Sequence, residues 1–430
     1  MTQTSPSSAP TTTAPTSLGQ PTAPARELEP TTAWIDPGSP ETAALLERIH
    51  AIGPMLRENS LRGDEDRRLP EESAAALREI GAWRISTMAR YGGYEAGARM
   101  LFEAARTIGY YCPSAGWSTV ISNGSVMLAN RFDDSALDRV FGPARGETVG
   151  MASVFASPQG TARPDGDGWR ISGRWPFASN IHHSEWAIGI LRVEDAVLSP
   201  SGIAFALLHR EDYRIEDTWR TLGMRGTGSD TFVVEDRFVP ADQLITFEQM
   251  MGTGFESDPE ASFARRLTPH LTMATTIAGP SVGGTQAALD FVRSQAARRP
   301  VTFSSYAHQE DSGAFVHGIG QASAKIDTAV LLLQRTADAI DAAARGTEPM
   351  PLHVRARGRG GLGHSVHSVV DAMTDLIWLH GTASFAEQSP LGKLWRDVNT
   401  GARHATISAP VNYELHGDGL LGIDYISTKL

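Results

Sequence analysis

The spacing of hydrophobic residues along this chain changes twice, and that double change restricts what the chain can fold into. From Pro40 to about Gly142 the apolar residues recur at the helical interval, in "ETAALLERIHAIGPMLRENS", "PEESAAALREIGAW", "ARMLFEAARTIGYY" and "SALDRVFG". Each stretch would turn one face toward a core. From about Glu147 to Val239 they alternate, in "TVGMASVFA", "GWRISGRWPFAS", "EWAIGILRV", "IAFALLHR" and "TFVVEDRFVP", with Gly, Pro and Asp between the runs. After about Phe255 helical spacing returns in four long segments, the last being "PLGKLWRDVNTGARHATIS". The pattern predicts an α+β chain: a helical unit, a β unit of six or more strands, then a four-helix bundle. "PDGDG" predicts a hairpin turn inside the β unit.

A length of 430 residues suits several units of ordinary domain size, and we expect them at 39–143, 144–252 and 253–430, after a disordered tail at 1–38. The tail expectation rests on its Thr, Ser, Pro and Ala, which cannot bury enough apolar surface to offset ordering. It lacks the apolar core and early basic cluster of a signal peptide. With 41% hydrophobic and 20% charged residues the composition is that of a soluble protein, and no run approaches the roughly 18 apolar residues of a membrane span. A net charge of −11 argues against nucleic acid as a partner, because phosphate recognition needs a basic field. The single cysteine, Cys112, cannot form an intramolecular disulfide, which fits a reducing compartment. A cytoplasmic protein is expected.

Several motifs are set aside on context. "GRGGLG", Gly358 to Gly363, has the spacing of a dinucleotide loop but follows a long helix and a linker, so a plain loop or helix start is expected. The adjacent His182 and His183 would face opposite sides of a strand and cannot readily share an ion. His364 and His367 lack a third ligand nearby in sequence. No G-x-S-x-G elbow is present.

The order of the three units, together with "DTWRTLGMRGTGSDTFVVEDRFVP", "ISGRWPFASN" and "GKLWRDVNTGARHA", resembles the acyl-CoA dehydrogenase fold over about residues 40 to 425, with a central β-barrel or sandwich. Within it, "GRWPFAS" and the Arg-Asp segment followed by a His are closer to the flavin-dependent monooxygenases. Those include two-component phenol hydroxylase oxygenases, dibenzothiophene monooxygenase and amino-sugar nitrososynthases. A dehydrogenase needs a carboxylate to remove a proton beside the thioester. The two positions that carry it in that family fall on Ala405 and near Met273, neither acidic.

The resemblance implies a monooxygenase that takes reduced FAD or FMN from a separate flavin reductase and, with O2, hydroxylates a small organic molecule through a C(4a)-hydroperoxyflavin, in natural-product metabolism. It implies that His404, on the last bundle helix, handles a proton beside the flavin. Phe177 would lie against the flavin ring, Ser179 would bond N(5), and Ser153 would hold the pyrimidine edge. Alternation would put Phe177, Ser179 and Trp175 on one strand face, with Pro176 pointing away. Arg299, with Phe303, would reach a neighbouring subunit's flavin phosphates, and a homotetramer is implied. Trp117, Asn123 and Ser125 would meet the substrate. The rival expectations are an amino-sugar N-oxygenase, with "RARGRG" on a diphosphate, an atypical acyl-CoA dehydrogenase, and a flavin-fold binding module without catalysis.

Overall fold

The computed structural model describes residues 28–143, 146–155, 157–193, 199–252, 254–346 and 348–423. Five helices come first: α1 (Pro40–Asp66), α2 (Glu71–Glu79), α3 (Ala98–Tyr111), α4 (Pro113–Ala129) and α5 (Asp134–Phe141). Ser39 caps α1 by accepting the Thr42 N–H, with Pro40 at the first helical position. α4 has no solvent-facing side, because every residue from Pro113 to Ala129 is buried. It is the central helix of the molecule, between the β unit and the bundle. The start of α3 is satisfied from another unit: the buried Asp341 carboxylate accepts the Ala98 and Arg99 N–H groups, the acceptor charge a helix N-terminus favours.

Eight strands follow: β1 (Met151–Val154), β2 (Gly160–Asp165), β3 (Gly168–Trp175), β4 (Trp186–Val193), β5 (Ile203–His209), β6 (Arg214–Glu216), β7 (Thr231–Pro240) and β8 (Leu244–Thr246). They form one sheet in the order β6-β7-β3-β2-β4-β5-β8, with β1 paired to β4. The expected hairpin joins β2 to β3, where Asp165 pairs with Gly168. β1 and β2 run parallel to β4 along successive parts of its length. The interruption between them carries Ser157 and Gln159 to the edge of a cavity.

Trp175 anchors the sheet. Its ring is fully buried, stacks on Phe232 at 4.8 Å and donates from Nε1 to the Ile190 carbonyl at 2.6 Å. Glycine at 189 makes room for it, since a Cβ there would stand 2.7 Å from the indole.

After the short helices α6 (Phe247–Met251) and α7 (Phe263–Arg266), the bundle is built from α8 (Pro269–Ile277), α9 (Gly279–Gln295), α10 (Gly313–Arg345), α11 (Leu352–His380), α12 (Pro390–Gly401) and α13 (Ala409–Leu421). Pro280, in the first turn of α9, separates α8 from α9.

Several expectations need correction. The "GRGGLG" segment is neither loop nor helix start but lies inside α11. Its glycines admit neighbouring helices: a Cβ on Gly360 would stand 2.5 Å from His416 of α13, and one on Gly358 2.9 Å from Thr336 of α10. "RARGRG" lies in the same helix, and Arg359 there is buried. The last helical segment is two helices, not one, so His404 sits in the link between α12 and α13. His182 and His183 lie in a 3-10 turn, not a strand, and bond separately to Asp230 and to the Leu69 carbonyl. Of the expected disordered tail, residues 1–27 lie outside the described residues. The part from Thr31 is packed, with the Thr31 N–H and hydroxyl both on Asp290, because short polar residues can be ordered by tertiary hydrogen bonds.

Candidate active site

A cavity of about 570 Å³ opens where α4, the end of β1, the segment after β3, the link from β6 to β7 and the α12–α13 link meet. Its size falls within the roughly 300–1,000 Å³ of small-molecule sites. The walls are largely apolar, with Trp117, Ile121, Val154, Phe177, Trp219 and Met224 among them, and hydroxyls from Ser153, Ser179, Thr227 and Ser229. Arg403 supplies a cation, and the described lining includes no carboxylate.

The segment after β3 explains how Phe177 and Ser179 reach the cavity together. Strand geometry ends at Trp175, and Phe177 takes φ +63, a left-handed conformation rare for an aromatic residue. The Ala178 N–H donates to the Asp230 carbonyl and the Asn180 N–H to Thr227, so the bent segment stays tied to the neighbouring chain. Alternation is therefore not the reason that 177 and 179 share a cavity. Trp175 faces the core, and Pro176, expected to face away, lines the cavity. Phe177 is 70% exposed and meets Trp219 edge-on at 5.9 Å. Ser179 is buried and accepts from Trp117 Nε1–H at 3.1 Å.

His404 precedes a 3-10 turn, and its Nδ1 accepts the Thr406 N–H at 3.3 Å. That bond assigns the remaining proton to Nε2. The ring packs edge-on to Trp117 at 5.5 Å. Burial away from any compensating carboxylate lowers its pKa to about 4. His404 is thus neutral at pH 7 and offers an N–H, whereas its ordinary value near 6.5 had suggested proton exchange at neutral pH.

The expected residues divide. Trp117, Ser153, Phe177, Ser179 and His404 line one cavity. Asn123 does not: its carbonyl accepts the Ser86 N–H and its amide donates to the Ala82 and Thr119 carbonyls, so its hydrogen bonds are spent on backbone. Ser125 is also held back, donating to the Ile121 carbonyl and lying 2.9 Å behind Ser153 Oγ. Arg299 and Phe303 follow α9 and do not line this cavity, and the Phe303 side chain is fully exposed.

Sequence reasoning missed Trp219, Met224, Thr227 and Ser229. They lie in "TWRTLGMRGTGSD", a segment whose wording was noticed but whose hydroxyls were not. The Arg-Asp pair of α12 holds that segment. Asp397 accepts the Met224 N–H at 2.7 Å and pairs with buried Lys393, while Arg396 donates to the Leu222 carbonyl at 2.8 Å.

Residues 275–409 match the family model for the acyl-CoA dehydrogenase C-terminal domain. The chain is 31% identical over 392 residues to the flavin-dependent monooxygenase oxygenase subunit HsaA of Rhodococcus jostii, covering 90% of this chain and 100% of that protein. It is 26% identical to the oxygenase component of an FADH2-dependent resorcinol hydroxylase of a Rhizobium species, covering 88% and 94%. Among solved structures, XiaF from a Streptomyces species, in complex with FADH2 and glycerol, superposes with a TM-score of 0.85 at 37% identity, covering 91% of this chain and 97% of XiaF. A hydroxyl-lined, aromatic-walled cavity whose described lining has no carboxylate base, on a chain matched over nearly its whole length, leads to one conclusion: this protein belongs to the flavin-dependent monooxygenases, as an oxygenase built on the acyl-CoA dehydrogenase fold.

Proposed function

We propose that this oxygenase hydroxylates a small, neutral, aromatic molecule, using reduced flavin that a separate reductase supplies. The observation that carries the reading is the pairing, around Trp117, of a hydroxyl at Ser179 with a neutral imidazole at His404 in a cavity with no carboxylate. Ser153, Phe177 and Ser179 are the residues assigned to hold a flavin ring. When bound, reduced flavin supplies the electrons that split O2, one atom passing to the substrate and the other leaving as water.

The chain's own groups do the rest. Buried Trp117 and Met224, with Trp219, exclude water from the reacting region, and exclusion is what prevents loss of oxygen as free peroxide. Neutral His404 donates from Nε2 toward the cavity without placing a charge in it. The apolar walls favour an uncharged planar substrate, since an anion would be desolvated there with Arg403 as the cation at hand. Arg299 and the exposed Phe303 are assigned to the flavin of a neighbouring subunit in a homotetramer.

The test supplies reduced FAD or FMN chemically to the isolated protein, adds O2, and follows peroxide release. Wild type should release peroxide more slowly than free flavin does, and His404→Ala should speed release by about 10-fold to 100-fold, the worth of a lost buried donor. Equal release with and without protein overturns the reading. So does brisk NAD(P)H oxidation by the protein with no reductase present.

A further inference from the structure

Four side chains on the cavity wall form a continuous chain of hydrogen bonds, and counting their protons fixes its direction. Thr227 Oγ1 donates its only proton to the Met224 carbonyl at 2.8 Å. That carbonyl also accepts from Trp219 Nε1 at 3.0 Å and from the Thr227 N–H at 3.1 Å, and it has no proton to return. The 2.6 Å contact between Thr227 and Ser229 therefore uses the Ser229 proton, and the 2.7 Å contact between Ser229 and Ser179 uses the Ser179 proton. Trp117 Nε1, a donor only, occupies one acceptor site of Ser179 at 3.1 Å. Ser179 is left with one lone pair for the cavity and no proton for it.

We propose that Ser229 and Thr227 are specificity-determining residues, which turn the Ser179 proton away from the cavity so that the site accepts a ring N–H and refuses a ring lone pair. This rests on the reading that Ser179 meets the flavin N(5). That nitrogen carries hydrogen in the reduced ring and only a lone pair in the oxidised one. The site thereby tells arriving reduced flavin from spent flavin, and release of the oxidised form is built into the wall. The direction follows from the far end, where the Met224 carbonyl, positioned through the Met224 N–H on Asp397, can accept from Thr227 but cannot donate to it. Ser229 and Thr227 act through Ser179 and are positioning residues.

The experiment titrates the isolated protein anaerobically with oxidised and with dithionite-reduced FAD and FMN, and measures the midpoint potential of bound flavin. Wild type should bind the reduced form about 10-fold to 100-fold tighter, the effect of one unmatched buried polar contact. Ser229→Ala frees the Ser179 proton to turn inward. It should shrink that ratio about 10-fold, chiefly by tightening oxidised binding, and lower the bound potential by about 30 mV, the equivalent of that factor for two electrons. Thr227→Val should move both readouts the same way and serves if Ser229→Ala fails to fold. Ser229→Thr, which keeps the hydroxyl, should retain the wild-type ratio. The proposal is overturned if both variants keep the wild-type ratio, or if both flavin forms weaken together, as a purely structural role requires. Equal wild-type affinity for the two forms also overturns it while leaving the flavin reading intact. Binding of neither form by wild type defeats the flavin reading itself.

Discussion

Acidification should expose the desolvation of the half-buried His404 ring directly. Its pKa is lowered from 6.5 to about 4 by desolvation, so at pH 7 only about one ring in a thousand is protonated, against roughly a quarter for an unperturbed imidazole. The stability consequence has a definite sign. Between about pH 6.5 and pH 4 the unfolded chain takes up a proton that the folded ring refuses, so stability falls as pH falls through that window. The shift corresponds to about 3 kcal/mol at most, and the ring's open edge toward the cavity screens this to about 1–2 kcal/mol. His404→Asn removes the titrating group while keeping an acceptor for the Thr406 N–H. Ring-labelled histidine followed by NMR should show one resonance, absent in His404→Asn, titrating near pH 4. Chemical denaturation should show wild type losing about 1–2 kcal/mol more than His404→Asn between pH 7 and pH 4. A midpoint at or above 6.5, or equal losses in the two proteins, would refute the reading that desolvation, in a cavity whose described lining has no carboxylate, keeps this ring neutral.

Other substitutions probe what supports the site. Asp397→Ala strands the buried Lys393 ammonium and the Met224 N–H, and should cost about 3–5 kcal/mol in denaturant unfolding, with weakened flavin binding. Lys393→Met together with Asp397→Asn should recover much of that loss. Gly189→Ala drives a methyl to within 2.7 Å of the Trp175 indole and should lose about 1–3 kcal/mol, read as a lowered Tm. Asp341→Ala leaves the Ala98 and Arg99 N–H groups at the start of α3 without their acceptor. It should cost about 1–2 kcal/mol in denaturant unfolding, and a stability equal to wild type would show that water replaces the carboxylate without loss.

Much of the fold was legible because runs of strand-forming residues between Gly, Pro and Asp turns become strands even where packing overrides their alternation, as in β7, buried over its first four residues and exposed over the next four. β7 occupies Thr231–Pro240, the run whose alternation had marked it, and the β2–β3 hairpin turns where Gly and Asp cluster. The candidate site was legible only in part. Phe177 and Ser179 do line one cavity, but through a left-handed residue after the strand, and no pattern of alternation encodes that bend. Asn123 looked available because its type suits a ligand. Three backbone partners had already claimed it, and they come from both its own helix and the Ala82–Ser86 stretch.

By itself the sequence determined the order of helical unit, sheet and bundle, since hydrophobic spacing is a local property of each segment. Its resemblance to the acyl-CoA dehydrogenases also set Ala405 at a position where that family carries its carboxylate. Only the tertiary structure decided that the glycines of "GRGGLG" serve helix packing, that desolvation holds His404 neutral, and that Ser179 is joined to Ser229 and Trp117 at the cavity wall. The physical reason is the same in each case. Desolvation, close approach and the direction of a hydrogen bond depend on neighbours brought from Met224, Ser229 and Trp117, and those distances exist only once the chain has folded.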